Sequence, residues 1–128
     1  MSASWVVVAD GGRARILEIG GSRQELREID DLVHGQAGRT ARSSGGDLLT
    51  VDEDESEVFA SHVADHLDKA RSQSRFGELC LIAAPRYLAM FRACLSAATA
   101  KLVGQEIPRD LLRFDIDDID AYVRGDRA

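Results

Sequence analysis

Hydrophobic and polar positions change period along this chain, and each change marks an element. Residues 5–9, WVVVA, are a short apolar run rich in β-branched side chains, closed at once by Asp10-Gly11-Gly12. Asp-Gly and Gly-Gly favour a tight turn because glycine reaches positive φ at no steric cost. RARILEI then alternates, with Ala14, Ile16 and Glu18 on one face and Arg15, Leu17 and Ile19 on the other, the period of a strand. A second turn, Gly20-Gly21-Ser22, leads to RQELREIDDLV. Its Leu26, Ile29 and Leu32 also suit a helix, but the two hairpin turns before it favour a strand that frays near Asp30.

Beyond residue 54 the period becomes helical. Asp54 and Glu57 have capping-box spacing, and Phe59, Val63, Leu67 and Ala70 form one apolar stripe. Residues 79–84 are continuously apolar, the signature of a central strand covered on both faces. Pro85 is suited to a first helical turn, where no amide donor is needed. RYLAMFRACLSAATAKLV predicts one helix, with Leu88, Phe91, Leu95 and Leu102 inward and Gly104 as its stop. Residues 105–107 predict a brief strand and DDIDAYV a short last helix.

The predicted order is β-β-β-α-β-α-β-α. It describes an α/β fold in a single domain over 1–128: a mixed sheet of about five strands, made of a three-strand antiparallel meander and then βαβ crossovers, with helices packed on its faces. The connector over 34–56 reads as a flexible loop, glycine- and arginine-rich and then acidic.

Composition narrows the function classes. At 128 residues, 45% hydrophobic and 30% charged, the chain can bury a core without disulfides or metals. No basic flank or long apolar region opens it, and no apolar run nears the roughly 20 residues of a membrane span. Cys80 and Cys94 fall in apolar segments and read as reduced, buried thiols. A cytoplasmic protein without membrane insertion is expected. The net charge of −6 argues against broad nucleic-acid binding while leaving room for a local basic face.

Several motifs carry a resemblance. ADGGRARI, the DLVH segment with its Gly/Arg/Ser loop, APRYL and the closing EIPRDLL together resemble the bacterial host attachment protein family, named for the attachment of bacteria to host cells. That family is in turn similar to the middle domain of archaeal and eukaryotic peptide-chain release factors, which has a ribonuclease-H-like mixed sheet. There a Gly-Gly-Gln loop between the third strand and the first helix helps hydrolyse peptidyl-tRNA. The matching stretch here is HGQAGRTARSSGGDLLT. It departs from the motif, because Gly35-Gln36 has one glycine before the glutamine and Gly45-Gly46 is followed by Asp47. A water-positioning glutamine needs its backbone held by flanking glycines, so the departure removes support for chemistry.

The resemblance therefore implies a non-enzymatic binding domain, contacting the ribosome or structured RNA. Arg39, Arg42 and Arg86 are the candidate phosphate contacts, and Gly35, Gln36, Gly45 and Gly46 the candidate loop residues. The alternatives are a protein partner in a factor indirectly required for attachment, and a peptidyl-tRNA hydrolase-like activity over 34–47. No cofactor and no metal is expected. Asp10 reads as a turn former rather than a nuclease ligand, and His62 and His66, four apart, read as boundary or solvent-facing positions. Trp5 and Tyr87 read as packing residues.

Overall fold

The computed structural model describes residues 3–20, 25–33 and 53–124. Its elements are β1 (Ser4–Ala9), β2 (Arg13–Gly20), β3 (Glu25–Val33), α1 (Glu53–Ser72), β4 (Glu78–Ile82), α2 (Pro85–Cys94), α3 (Ala97–Ala100), β5 (Val103–Ile107) and α4 (Ile116–Val123). The strands form one five-stranded sheet in the order β3-β2-β1-β4-β5. β1, β2 and β3 pair antiparallel, whereas β1–β4 and β4–β5 are parallel, as the meander-then-crossover reading predicts.

Strand alternation divides the core between two faces. Trp5, Val7, Ala9, Ala14, Ile16, Leu79 and Leu81 turn toward α1 and α2, where Phe59, Val63, Leu67, Leu88 and Phe91 meet them. Val6, Val8, Leu17, Cys80 and Ile82 turn the other way, toward Leu111, Leu112 and Ile119 on the chain after β5. Trp5 is 1% exposed, stacks on Phe76 at 4.8 Å and donates its indole N–H to Glu18, so its role is packing.

Four boundaries differ from the sequence reading. β3 does not fray at Asp30 but continues to Val33 past a bulge, in which Ile16 pairs Asp30, Leu17 pairs Glu28 and Ile29 is the extra residue. The connector expected over 34–56 is shorter, because α1 already begins at Glu53, and Asp54 therefore lies inside the helix rather than at its cap. The predicted 86–103 helix is two helices. Leu95 leaves helical geometry with ψ 143°, and Ser96 caps α3 by accepting from the Thr99 amide. Gly104, read as a helix stop, lies within β5.

The break has a tertiary cause. Asp68 on α1 accepts hydrogen bonds from Ser96 Oγ, at 2.6 Å, and from Thr99 Oγ1. Arg71 Nε donates to Thr99 Oγ1 at 3.0 Å. Thr99 is fully buried, so this polar knot fixes where α2 must end. On the opposite face the half-exposed chain after β5 is tied down by Arg15. Its Nη1 donates to the carbonyls of Leu112 and Phe114, at 2.9 and 2.7 Å, and its Nη2 to Glu28 at 2.9 Å.

Candidate functional site

Parallel strands fix a polarity, and in this sheet the carboxyl ends of β1, β3, β4 and β5 lie at one edge. Arg13 pairs with Val33 in register, so the end of β3 sits beside the turn that follows β1. α2 starts at the same edge, immediately after β4, with Pro85 as its first residue. Arg86 is exposed there, its guanidinium carbon 5.1 Å from the centroid of the neighbouring Tyr87 ring.

The turn after β1 is built by Asp10. Its Oδ1 accepts from the amides of Gly12 and Arg13 at 2.8 and 2.9 Å, so the carboxylate serves the turn that its sequence context predicts. Gly11 is then enclosed. A Cβ at this position would stand 2.6 Å from Ser56 Oγ and 2.8 Å from the Tyr87 ring. Three segments thus meet at Gly11: the β1–β2 turn, the first turns of α1, and the first turn of α2. Ser56 is 1% exposed, and its hydroxyl has no hydrogen-bond partner among the described residues.

Ser56 was not a candidate in the sequence, hidden within the acidic run DEDESE. The available signal was its spacing, since Ser56, Phe59, Ala60 and Val63 follow the i, i+3, i+4, i+7 pattern of one buried helix face. Glu55 and Glu57 on the same turns are exposed.

The other candidates distribute as follows. Arg86 stands at the carboxyl edge. Gly35, Gln36, Arg39, Arg42, Gly45 and Gly46 lie outside the described residues. The chain leaves the described fold after Val33 and rejoins it at Glu53, and both points belong to the carboxyl edge. His62 is exposed, while His66 Nε2 lies 3.3 Å from Asp30 Oδ2, within ion-pair reach but outside hydrogen-bond geometry. Among the described residues no group of three or more His, Cys, Asp or Glu could hold a metal ion.

Charge at this edge is mixed. Arg13 is held by Asp31 at 2.7 Å, and hydrogen bonding to the guanidinium, outweighing partial burial, keeps the Asp31 carboxyl below its ordinary range. Among the described residues no helix is long and apolar enough to cross a membrane.

Comparison with known proteins gives a family and likenesses of fold among solved structures. No curated protein matches the chain. A solved structure described as "Archaeal protein" is similar over 97% of this chain with a TM-score of 0.52 and 11% identity, a likeness of fold alone. This chain spans 39% of the length of that one. The family model described as "Protein required for attachment to host cells" matches residues 5–123, which include every described strand but the first residue of β1, and every described helix. The chain belongs to the host attachment protein family.

Proposed function

We propose that this chain is a non-enzymatic binding domain whose carboxyl edge contacts structured RNA, with the ribosome as the setting. The observation that carries the reading is topological. The segment containing Arg39 and Arg42 leaves and rejoins the fold at the edge where Arg86 opens α2. Arg86 and the two points where that segment meets the described fold share one end of the molecule, which supports the reading. Arginine suits this task because its planar fork meets phosphate oxygens in pairs. The acidic neighbours Glu55 and Glu57 make the contact local and selective rather than a general attraction for polyanions.

The test is binding of the full chain to ribosomal RNA at several salt concentrations. Each phosphate contact removed by Arg→Ala should lower the slope of log affinity against log salt by about 1. Absence of binding at low salt rules the reading out.

The family description favours a second reading, in which the chain supports attachment through a protein partner. In that case Arg39→Ala/Arg42→Ala would leave partner capture intact while ribosomal RNA would not bind at all.

A further inference from the structure

The sheet face opposite α1 and α2 is covered by the chain after β5, of which α4 is the last described element. Between the last turn of α4 and the amino ends of β1 and β4 lies a half-open cavity of about 100 Å³. Val6, Ile19, Cys80 and Val123 give it apolar walls, and Ser4, Glu78 and Gln105 are its polar members. Gln105 is engaged, since its Nε2 donates to the Val123 carbonyl at 3.3 Å.

Glu78 is the group left with capacity. Its Oε1 accepts one hydrogen bond from Ser4 Oγ at 3.3 Å, and its Oε2 packs over Gly104. A Cβ at Gly104 would fall 2.9 Å from that oxygen, so the glycine in β5 makes the space the carboxylate occupies. Among the described residues no arginine, lysine or histidine pairs with Glu78. Glu78 is exposed, and a carboxylate offers several acceptor positions, so those Ser4 does not fill face water that a bound cation would displace. Burial, with a smaller contribution from the charge of Glu78, pushes the Cys80 thiol up to about 12, so the sulfur stays protonated and behaves as an apolar wall.

We propose that this cavity binds a small primary alkylammonium ion, with the ammonium on Glu78 and the alkyl stem against Val6, Cys80 and Val123. Charge complementarity selects a cation, and the apolar walls select one with a hydrocarbon body. An apolar cavity of about 150 Å³ accepts benzene, so a chain of about four carbons suits this smaller one. So few contacts imply a dissociation constant on the order of 1 mM. The site lies at the end of the sheet opposite to Arg86 and is independent of the RNA reading.

The experiment is a titration of the full chain with n-butylammonium chloride, followed by NMR at Val6, Cys80 and Val123. 1-Butanol, sodium butyrate and sodium chloride serve as parallel titrants. The expected result is saturable shifts with butylammonium, binding about fivefold weaker with butanol, as a partly exposed ion pair implies, and none with butyrate. In Glu78→Gln the preference for the amine over the alcohol should vanish while the spectrum keeps its folded dispersion. Should that variant not fold, sodium chloride added to wild type must weaken butylammonium binding and leave butanol binding unchanged. Equal binding of amine and alcohol, insensitivity to salt, or shifts that miss these residues would overturn the proposal.

Discussion

Gly11 stands where any side chain is costly. Alanine would place a methyl group 2.6 Å from Ser56 Oγ and 2.8 Å from the Tyr87 ring, and both neighbours belong to packed helices. Forcing an extra carbon into such a junction typically costs about 1–3 kcal/mol. Gly11→Ala should therefore lower the urea midpoint without changing the slope of the transition, and an unchanged midpoint would mean that the junction yields freely. Ser56 makes the opposite prediction. Its buried hydroxyl has no partner among the described residues, so Ser56→Ala discards an uncompensated polar group and improves helix propensity. Stability should stay within about 0.5 kcal/mol of wild type or rise. A loss well beyond that would show that the hydroxyl is satisfied in solution.

At the scale of elements, the α2–α3 break is the feature most dependent on distant contacts. Ser96 caps α3 and also donates to Asp68, twenty-eight positions earlier in the chain. Ser96→Ala should cost about 0.5–2 kcal/mol in thermal or denaturant unfolding, the usual value of a lost cap. Asp68 adds a pH signature. Burial alone would raise its pKa, but the Ser96 and Thr99 hydroxyls and the charge of Arg71 outweigh that, leaving it below 3.8. Asp31 is lowered as well, through Arg13. A depressed folded-state pKa contributes stability that is complete above the unfolded value and lost as pH falls through the folded one. Stability from these two carboxylates should accordingly hold down to about pH 4 and decline below it. Asp68→Asn should flatten that acid limb, and a limb identical to wild type would remove Asp68 from the account.

The same elements explain what was legible in the sequence. Strands β1, β2 and β4 and the buried stripe of α1 follow from local period, because each repeats a pattern that one burial direction imposes. The split at Leu95 was not legible, since the apolar period runs on through Leu95 and Leu102 and the interrupting partner, Asp68, lies on another helix. Gly104 misled for a related reason. A glycine after a helical pattern usually ends the helix, but this one clears space for Glu78 from the adjacent strand. The bulge at Ile29 left no sequence mark, since it adds a residue without a turn signal. At the carboxyl edge, the helix start at Pro85 beyond β4 could be read directly, whereas the enclosure of Gly11 by Ser56 and Tyr87 required the crossover that brings α1 back over the sheet.

On the scale of the whole molecule, the fold has an end and the charge does not. A net charge of −6 works against affinity for RNA in general, so the proposed contact is a local one, at the edge that holds Arg86 and the two ends of the 34–52 segment. The description of the family names a phenotype, attachment to host cells, and not a molecular partner. The most direct measurement is co-sedimentation of the protein with ribosomes at low and moderate salt, comparing wild type with Arg39→Ala/Arg42→Ala/Arg86→Ala. The account predicts that wild type travels with ribosomal subunits at low salt and is released as salt rises, while the triple variant stays in the supernatant throughout. Wild type absent from the ribosomal fractions at low salt, or a variant that sediments as wild type does, would contradict it.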